Sequence, residues 1–300
     1  MNIRLFIIAG MAALVASACT KEAGVIQTAE GPKTVFYADL GEAETQTRTY
    51  IDENLKIHWN RGDLVSIFQT TSNDRFRFKG DDGARSGEFE ENCDAVASGD
   101  EIGSIYAVYP YSEETSLGEG EILSGNLPGA QAYAEKSFGP GANTMVCKTD
   151  SDKLLFKNVG GYLVIKMYGD AVDVKSVSLS GNNGEIVAGQ ASINFSEDGI
   201  PSAQFNGESG TTIGINCETA VSLGTSATDY TEFWFVVPPV TFSTGFTLKV
   251  TGVNGATCEK STSKPFTITR NEITSMKPFK VELSGGNQIG PGEEEDGGDY

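Results

Sequence analysis

Apolar and polar residues alternate over short stretches of this chain, with the two-residue period of a β-strand that buries one face. Residues 75–79 (RFRFK) alternate strictly, so both phenylalanines lie on one face. Residues 64–68 (LVSIF) and 233–237 (FWFVV) are almost continuously apolar. This predicts buried strands, and a central position in a sheet for the second. Similar signals predict strands at 34–38, 47–51, 55–59, 105–109, 154–156, 162–167, 174–179, 246–250, 264–269 and 276–283.

The predicted strands fall into two groups. Residues 112–150 are rich in Gly, Ser, Glu and Pro and carry little strand signal, which predicts long loops leading to a domain boundary near residue 150. Because helical periodicity is nearly absent, we expect an all-β protein. It would consist of two immunoglobulin-like β-sandwich domains in tandem, at 34–150 and 151–283. Gly and acidic residues dominate the tail 284–300, so we expect it to be disordered.

The start of the chain has the pattern of an export signal followed by a linker. Arg4 precedes a short apolar core and three small residues, which end immediately before Cys19. This order is typical of a bacterial lipoprotein signal at 1–18, after whose removal Cys19 carries the membrane-anchoring lipid. The same small residues also fit an ordinary secretory signal, in which Cys19 is incidental. Residues 19–33 are polar and aperiodic, so we expect a flexible tether.

Composition narrows the classes of partner. The chain carries 41 acidic and 22 basic residues, a net charge of −19, which argues against nucleic acid and anionic lipid headgroups as partners. Gly accounts for 36 of the 300 residues, in keeping with short strands and many turns. After the leader, the sequence has no apolar run long enough to predict a membrane-spanning helix.

Four cysteines besides Cys19 occur singly along the chain, without the paired spacing of a zinc site. An oxidising compartment allows disulfides, and pairing within each predicted domain would join Cys93 to Cys147 and Cys217 to Cys258. The alternative is four buried free thiols. Because the cysteines lack the paired spacing of a metal site, we predict no metal, and we predict no cofactor.

Catalytic chemistry has few candidates in this sequence. His58 is the single histidine, so a Ser-His-Asp or Cys-His arrangement has to use it. It lies in a predicted strand beside Trp59, which favours an ordinary strand residue over a base in a cleft. Acidic pairs such as Asp81-Asp82 lie in polar segments and are expected to be solvated loop charges. We predict no catalytic residue and no enzymatic activity.

Two further features suggest binding roles, and each has a simpler structural explanation. Residues 61–63 spell Arg-Gly-Asp, the integrin-binding tripeptide. Gly and Asp also favour a turn between strands, and this interpretation is preferred for so short a motif. Trp59 and Trp234 could form sugar-stacking platforms, but both lie in apolar segments and are expected in the core.

Several motifs resemble a known family. Residues 47–49 (TRT) and 57–68 (IHWNRGDLVSIF) resemble the opening segment of fimbrillin-like lipoproteins of the Bacteroidetes. Residues 107–110 (AVYP), and then 126–131 (NLPGAQ), resemble their YP and LP-x-x-Q segments. The resemblance covers roughly residues 34–282 and includes the strand that opens the family's second domain, which 156–163 (FKNVGGYL) resembles.

This resemblance implies a transthyretin-like, two-domain β-sandwich on a lipoprotein precursor of the outer membrane. It also implies a role in surface fimbriae or adhesion. Polymerising members of the family lose their first strand to an arginine-specific protease, and the vacated groove accepts a terminal strand from the next subunit. Arg48 is the first arginine after Cys19 and is the candidate cut site. The alternative is that Arg48 is an exposed strand residue.

The C-terminal sequence argues against a polymerising stalk subunit. A donor strand needs alternating apolar residues, whereas the tail after Leu283 is dominated by Gly, Pro and acids. Either 276–283 is the donor or the protein is not a stalk subunit. We expect an accessory, tip or anchor component, or a stand-alone surface lipoprotein. Its expected partners are the membrane through the lipid, other fimbrial subunits by strand addition, and host or bacterial surface ligands.

Two other functions remain as alternatives. One is a glycan-binding surface lipoprotein of a polysaccharide-uptake system, which would present Trp or Tyr rings at a sandwich edge. The other, and the less favoured, is a hydrolase that uses His58 or an acidic pair in a cleft.

Overall fold

A computed structural model describes residues 34–40, 57–92, 99–118 and 123–285. All regular elements in these ranges are β-strands, which confirms the all-β prediction, and no helix in them could cross a membrane. The strands are β1 Val35–Asp39, β2 Leu64–Thr70, β3 Asp74–Phe78, β4 Ser86–Glu91, β5 Glu101–Tyr109, β6 Ser116–Leu117, β7 Leu123–Leu127, β8 Ala130–Ala134, β9 Ser137–Phe138, β10 Met145–Thr149, β11 Lys153–Leu155, β12 Lys157–Asn158, β13 Gly161–Tyr168, β14 Asp173–Gly181, β15 Ala188–Phe195, β16 Pro201–Gly210, β17 Thr212–Ser222, β18 Thr231–Val237, β19 Val240–Phe242, β20 Phe246–Gly252, β21 Thr257–Ser261, β22 Phe266–Ile268, β23 Ile273–Ser275 and β24 Phe279–Lys280.

The first sheet has eight strands in the order β11-β1-β4-β3-β2-β5-β10-β12. Its two edge strands follow each other in the chain: β11 pairs in parallel with β1, and β12 pairs antiparallel with β10. The single stretch 153–158 therefore joins both edges. As a result, the sheet curls around its own core.

Aromatic rings fill the inside of the curled sheet. Trp59 is fully buried there. Its ring centroid lies between 5.1 and 5.9 Å from those of Phe78, Phe89, Tyr109 and Phe156. Most of these pairs meet edge to face, a geometry that adds stabilisation beyond the burial of apolar area. The expected core position of Trp59 is confirmed.

Strands β13 and β18 lie between two cores. Leu163 and Phe235 face the six-stranded sheet β21-β20-β14-β17-β8-β9, whereas Val164 and Trp234 face the core of the curled sheet. Burial on both faces explains the continuous apolar sequence of 233–237. The predicted central position of this strand is wrong, however, because β18 forms the edge of its sheet and pairs with β13 among the described strands.

The region 112–150, predicted as long loops, contains the five strands β6 to β10. Strand β7 pairs with β15, and β8 pairs with β17. A third core joins residues of β2, β5 and β7 to residues of β15. Strand pairing and a shared core therefore cross the predicted domain boundary near residue 150, so the boundary does not separate two independently paired halves.

Most of the other predicted strands in the described ranges are present, with three exceptions. The strand predicted at 55–59 is wrong for the described residues 57–59, which form isolated bridges, including that of Trp59 with Ala84. The strand predicted at 264–269 shortens to the three residues of β22. The strand predicted at 276–283 shrinks to the two residues of β24, which pairs in parallel with β13. Just beyond it Val281 is buried, and Ser284 forms a bridge with Thr257. Predictions about the leader, Cys19, the tether, the strand at 47–51 with Arg48, Cys93 and the tail from residue 286 lie outside the described residues.

Candidate functional site

The first strand is inserted between two others. Strand β1 pairs antiparallel with β4 on one side and parallel with β11 on the other. Phe36, Ala38 and Leu40 point into the aromatic core and are buried, whereas Val35 and Tyr37 are exposed. Phe36 packs edge to face on Phe76, with ring centroids 5.4 Å apart. Removal of β1 would therefore leave an apolar slot lined by unpaired backbone groups on both sides.

The Arg-Gly-Asp sequence forms a turn rather than an exposed ligand. Gly62 has φ 91°, a conformation that Gly adopts without strain. The Asp63 carboxylate accepts hydrogen bonds from the Asn60 backbone N–H at 2.7 Å and from the Tyr109 hydroxyl at 3.4 Å. The carboxylate is thus engaged by the protein itself. Burial, and secondarily this carboxylate, raises the pKa of Tyr109 well above its usual value.

His58 is part-buried between two core residues, and its Nδ1–H donates to the Gly83 carbonyl oxygen. This contact belongs to the strand bridge that joins Trp59 to Ala84. Among the described residues, no group of three or more His, Cys, Asp or Glu side chains is placed to hold a metal ion. The local contacts of His58 therefore match those of a structural residue.

The predicted pairing of Cys217 with Cys258 does not form. Their strands, β17 and β21, are separated in the sheet by β14 and β20. Because neighbouring strands lie about 4.8 Å apart, the two Cα atoms are far beyond the roughly 7 Å limit of a disulfide. Both cysteines are free thiols, as is the buried Cys147. Burial raises the pKa of Cys217 to about 11 and that of Cys147 to about 12.

A groove of about 850 Å³ lies over the uncovered part of the β13-β18-β23 sheet. Its floor consists of paired residues on one face: Trp234 opposite Val164, and Glu232 opposite Lys166. Ser275 of β23 extends the first row. The turn between β8 and β9 forms one wall, and the end of β17 with Tyr230 forms the other.

The polar side chains of the groove hold one another in place. Glu232 accepts a hydrogen bond from the Trp234 indole N–H at 2.9 Å and lies 3.7 Å from the Lys166 ammonium. That ammonium sits 4.9 Å from the centroid of the Tyr230 ring. On the opposite wall, burial and then the Glu135 carboxylate raise the pKa of Tyr133 to about 12. The groove thus combines fixed aromatic rings with fixed hydrogen-bonding groups.

The sequence did not reveal this groove. Trp234 was expected in the core, and it is largely buried there, but its indole also forms part of the groove floor. Tyr230 lies in a short loop and is 36% exposed, with no periodic pattern to mark it. The groove is assembled from five separate stretches of the chain, so proximity in sequence gives no signal.

Gln131, the last residue of the LP-x-x-Q segment, completes the edge of β18. Its Nε2 donates to the Val236 carbonyl oxygen at 2.7 Å, and its Oε1 accepts from the Val236 N–H at 3.1 Å. The carboxamide thereby replaces a neighbouring strand for one residue. At 4% exposure, it protects this edge from solvent and from further pairing.

Comparisons with known proteins give likenesses of structure only. No protein-family model matches the chain, and no curated protein sequence matches it. A candidate cell adhesion protein from Bacteroides uniformis is 16% identical with a TM-score of 0.46, covering 84% of this chain and 95% of its own. One from Bacteroides ovatus is 12% identical with a TM-score of 0.40, covering 70% and 80%. One from Bacteroides fragilis is 11% identical with a TM-score of 0.40, covering 83% and 90%.

Proposed function

We propose that this protein is a non-enzymatic, lipid-anchored surface protein of the fimbrillin type, acting in adhesion or in fimbrial assembly. The observation that carries the proposal is the insertion of β1 between β4 and β11. An N-terminal strand with alternating buried residues, paired on both sides, closes the fold of the uncut chain, and its slot would accept another subunit's strand only if β1 were removed. The lipoprotein-type leader at 1–18, which ends immediately before Cys19, supports the anchor and a place in the outer membrane.

Loss of β1 would be costly unless another strand replaced it. Phe36 and Leu40 are almost fully buried, and burial of two such side chains contributes roughly 3–6 kcal/mol. Total stabilities of folded domains are about 5–15 kcal/mol. The part of the protein that remains after a cut at Arg48 would therefore gain stability by binding a new strand in the same slot. Other fimbrial subunits are the proposed partners for that step.

We favour an accessory, tip or anchor role over a stalk role. The segment 276–283, the one candidate donor strand in the sequence, is already used in the fold: β24 pairs with β13, and Val281 is buried. Releasing it would uncover part of the second core. In the proposed state the lipid on Cys19 is therefore permanent, and the protein acts at the surface through its own ligands.

The groove favours a second candidate function, glycan binding by a surface lipoprotein of a polysaccharide-uptake system. Tyr133 and Tyr230 line its two walls beside Lys166 and Glu232. Both functions place the protein at the cell surface. They differ in whether the partner is another subunit or a sugar polymer.

Mass spectrometry of the mature N-terminus in native cells tests the anchor. We expect a lipid-bearing Cys19, and incorporation of an alkyne-labelled fatty acid that Cys19→Ala abolishes. Protease shaving of intact cells tests surface exposure. A soluble protein beginning at residue 19 without lipid would refute the anchor.

Treatment with an arginine-specific protease tests the stalk role, with Arg48→Lys as the matched variant that keeps the charge but resists cleavage. We expect no SDS-resistant ladder from either protein. Ladders that form in the wild type only, together with a native N-terminus at Thr49, would refute the accessory role and leave the fimbrillin type intact.

A further inference from the structure

We propose that the groove over β13 and β18 binds an uncharged oligosaccharide, an inference that rests on the proposed surface location. The groove has the size for such a ligand. Its volume of about 850 Å³ lies within the roughly 300–1,000 Å³ of small-molecule sites. It is open along the sheet face, so a chain of several sugar rings could lie in it.

The charges of the groove favour a neutral ligand. Glu135 and Glu232 balance Lys136 and Lys166, although the protein as a whole carries a net charge of −19. Lys166 is already paired with Glu232, so an anionic ligand would have to break an ion pair and approach two carboxylates. Hydroxyl groups can instead donate to the carboxylates and accept from the ammonium groups without a change in net charge.

The aromatic residues supply the second component of sugar recognition. The C–H faces of pyranose rings pack on aromatic rings, and tyrosine also offers a hydroxyl at its edge. The Tyr230 ring is 36% exposed. Lys166 lies over one face of that ring, and Tyr230 lines the groove beside it. Trp234 is held in the floor by its bond to Glu232.

An added peptide strand fits this site less well. The floor is the face of a sheet, and β13 is paired on one side with β18 and on the other with β23. A ligand in the groove therefore meets side chains rather than unpaired backbone groups. At the outer edge of β18, the N–H and C=O of Val236 are bonded to Gln131.

Titration calorimetry on the mature lipoprotein, in a sugar-free detergent, tests the proposal. The neutral probes are maltohexaose, cellohexaose, xylohexaose, mannohexaose and chitohexaose, and the acidic comparators are oligosaccharides of hyaluronan and polygalacturonate. We expect at least one neutral probe to bind and to change the tryptophan emission, because Trp234 lines the groove and Trp59 is buried elsewhere.

Substitutions identify the site. Tyr230→Ala should weaken binding by about tenfold or more, whereas Tyr230→Phe should retain most of it. Tyr37→Ala is the matched control, since Tyr37 is 44% exposed on β1 and remote from the groove lining; its affinity should equal that of the wild type. Equal thermal melting of the variants excludes misfolding as the cause.

Three outcomes would overturn the proposal: no neutral probe binds, only the acidic comparators bind, or Tyr230→Ala binds as well as the wild type. None of them bears on the lipid anchor or on surface exposure. Those are tested by labelling at Cys19 and by shaving of cells. Failure of the groove and failure of the proposed function are therefore separable.

Discussion

The carboxamide of Gln131 should contribute several kcal/mol to stability through a single residue. Gln131→Ala would leave the buried N–H and C=O of Val236 without partners, because both are bonded only through this side chain. An unsatisfied buried polar group costs about 1–3 kcal/mol. Two unsatisfied groups therefore predict a decrease of about 2–6 kcal/mol in the free energy of unfolding.

Urea denaturation followed by circular dichroism measures this decrease as a shift of the transition midpoint. Gln190→Ala is the matched control, because Gln190 is an exposed glutamine on β15, and it should change stability by less than about 0.5 kcal/mol. Gln131→Glu should resemble Gln131→Ala, since a carboxylate can accept from the Val236 N–H but cannot donate to its carbonyl. A loss below about 1 kcal/mol in Gln131→Ala would refute the role assigned to this edge contact.

Three further predictions concern buried and engaged groups. Burial holds the pKa values of Tyr109 and Tyr162 above the usual value, so the unfolded chain loses these protons first; the two groups together should steepen the fall of the unfolding free energy above about pH 10 by about 2.7 kcal/mol per pH unit, and Tyr162→Phe should reduce that slope by about 1.4 kcal/mol per pH unit, as measured by urea titrations. Cys217, with a pKa of about 11, should react with iodoacetamide at pH 7.5 at least about a hundredfold more slowly than a free cysteine, as peptide mass spectrometry would show; equal rates would contradict this. Asp63→Ala should lower stability by about 1–3 kcal/mol in the same urea assay and leave attachment to integrin-bearing cells unchanged; reduced attachment would restore a role for the tripeptide.

The strands that the sequence predicted correctly are those whose signal is local. In β3, Phe76 and Phe78 lie two positions apart, and the buried face follows from that period alone. Strands β7 and β8 carry Gly, Ser, Asn and Gln instead. Apart from two-residue pairings with the neighbouring β6 and β9, each pairs with a strand that lies more than 60 positions later in the chain. Their extended state depends on those distant partners, which no local pattern encodes.

The same limit applies to the functional residues. The LP-x-x-Q segment could be recognised as a motif, but its resemblance to a family did not show what Gln131 does, because Val236 lies 105 positions later. The disulfide prediction failed for a related reason. Cys217 and Cys258 are close in sequence and on one sheet, yet the order of strands places β14 and β20 between them.

The order of Cys19, β1 and Arg48 along the chain constrains the possible modes of action. Both the lipid attachment site and β1 precede Arg48, so cleavage there would release the anchor and the first strand together. A subunit that exchanges β1 can therefore no longer be held by Cys19, whereas an anchored subunit keeps β1 in its slot. Permanent anchoring and strand exchange at β1 are mutually exclusive for one molecule. An anchored protein can then engage partners only through surfaces that exist with β1 in place, and the groove beside Tyr230 is such a surface.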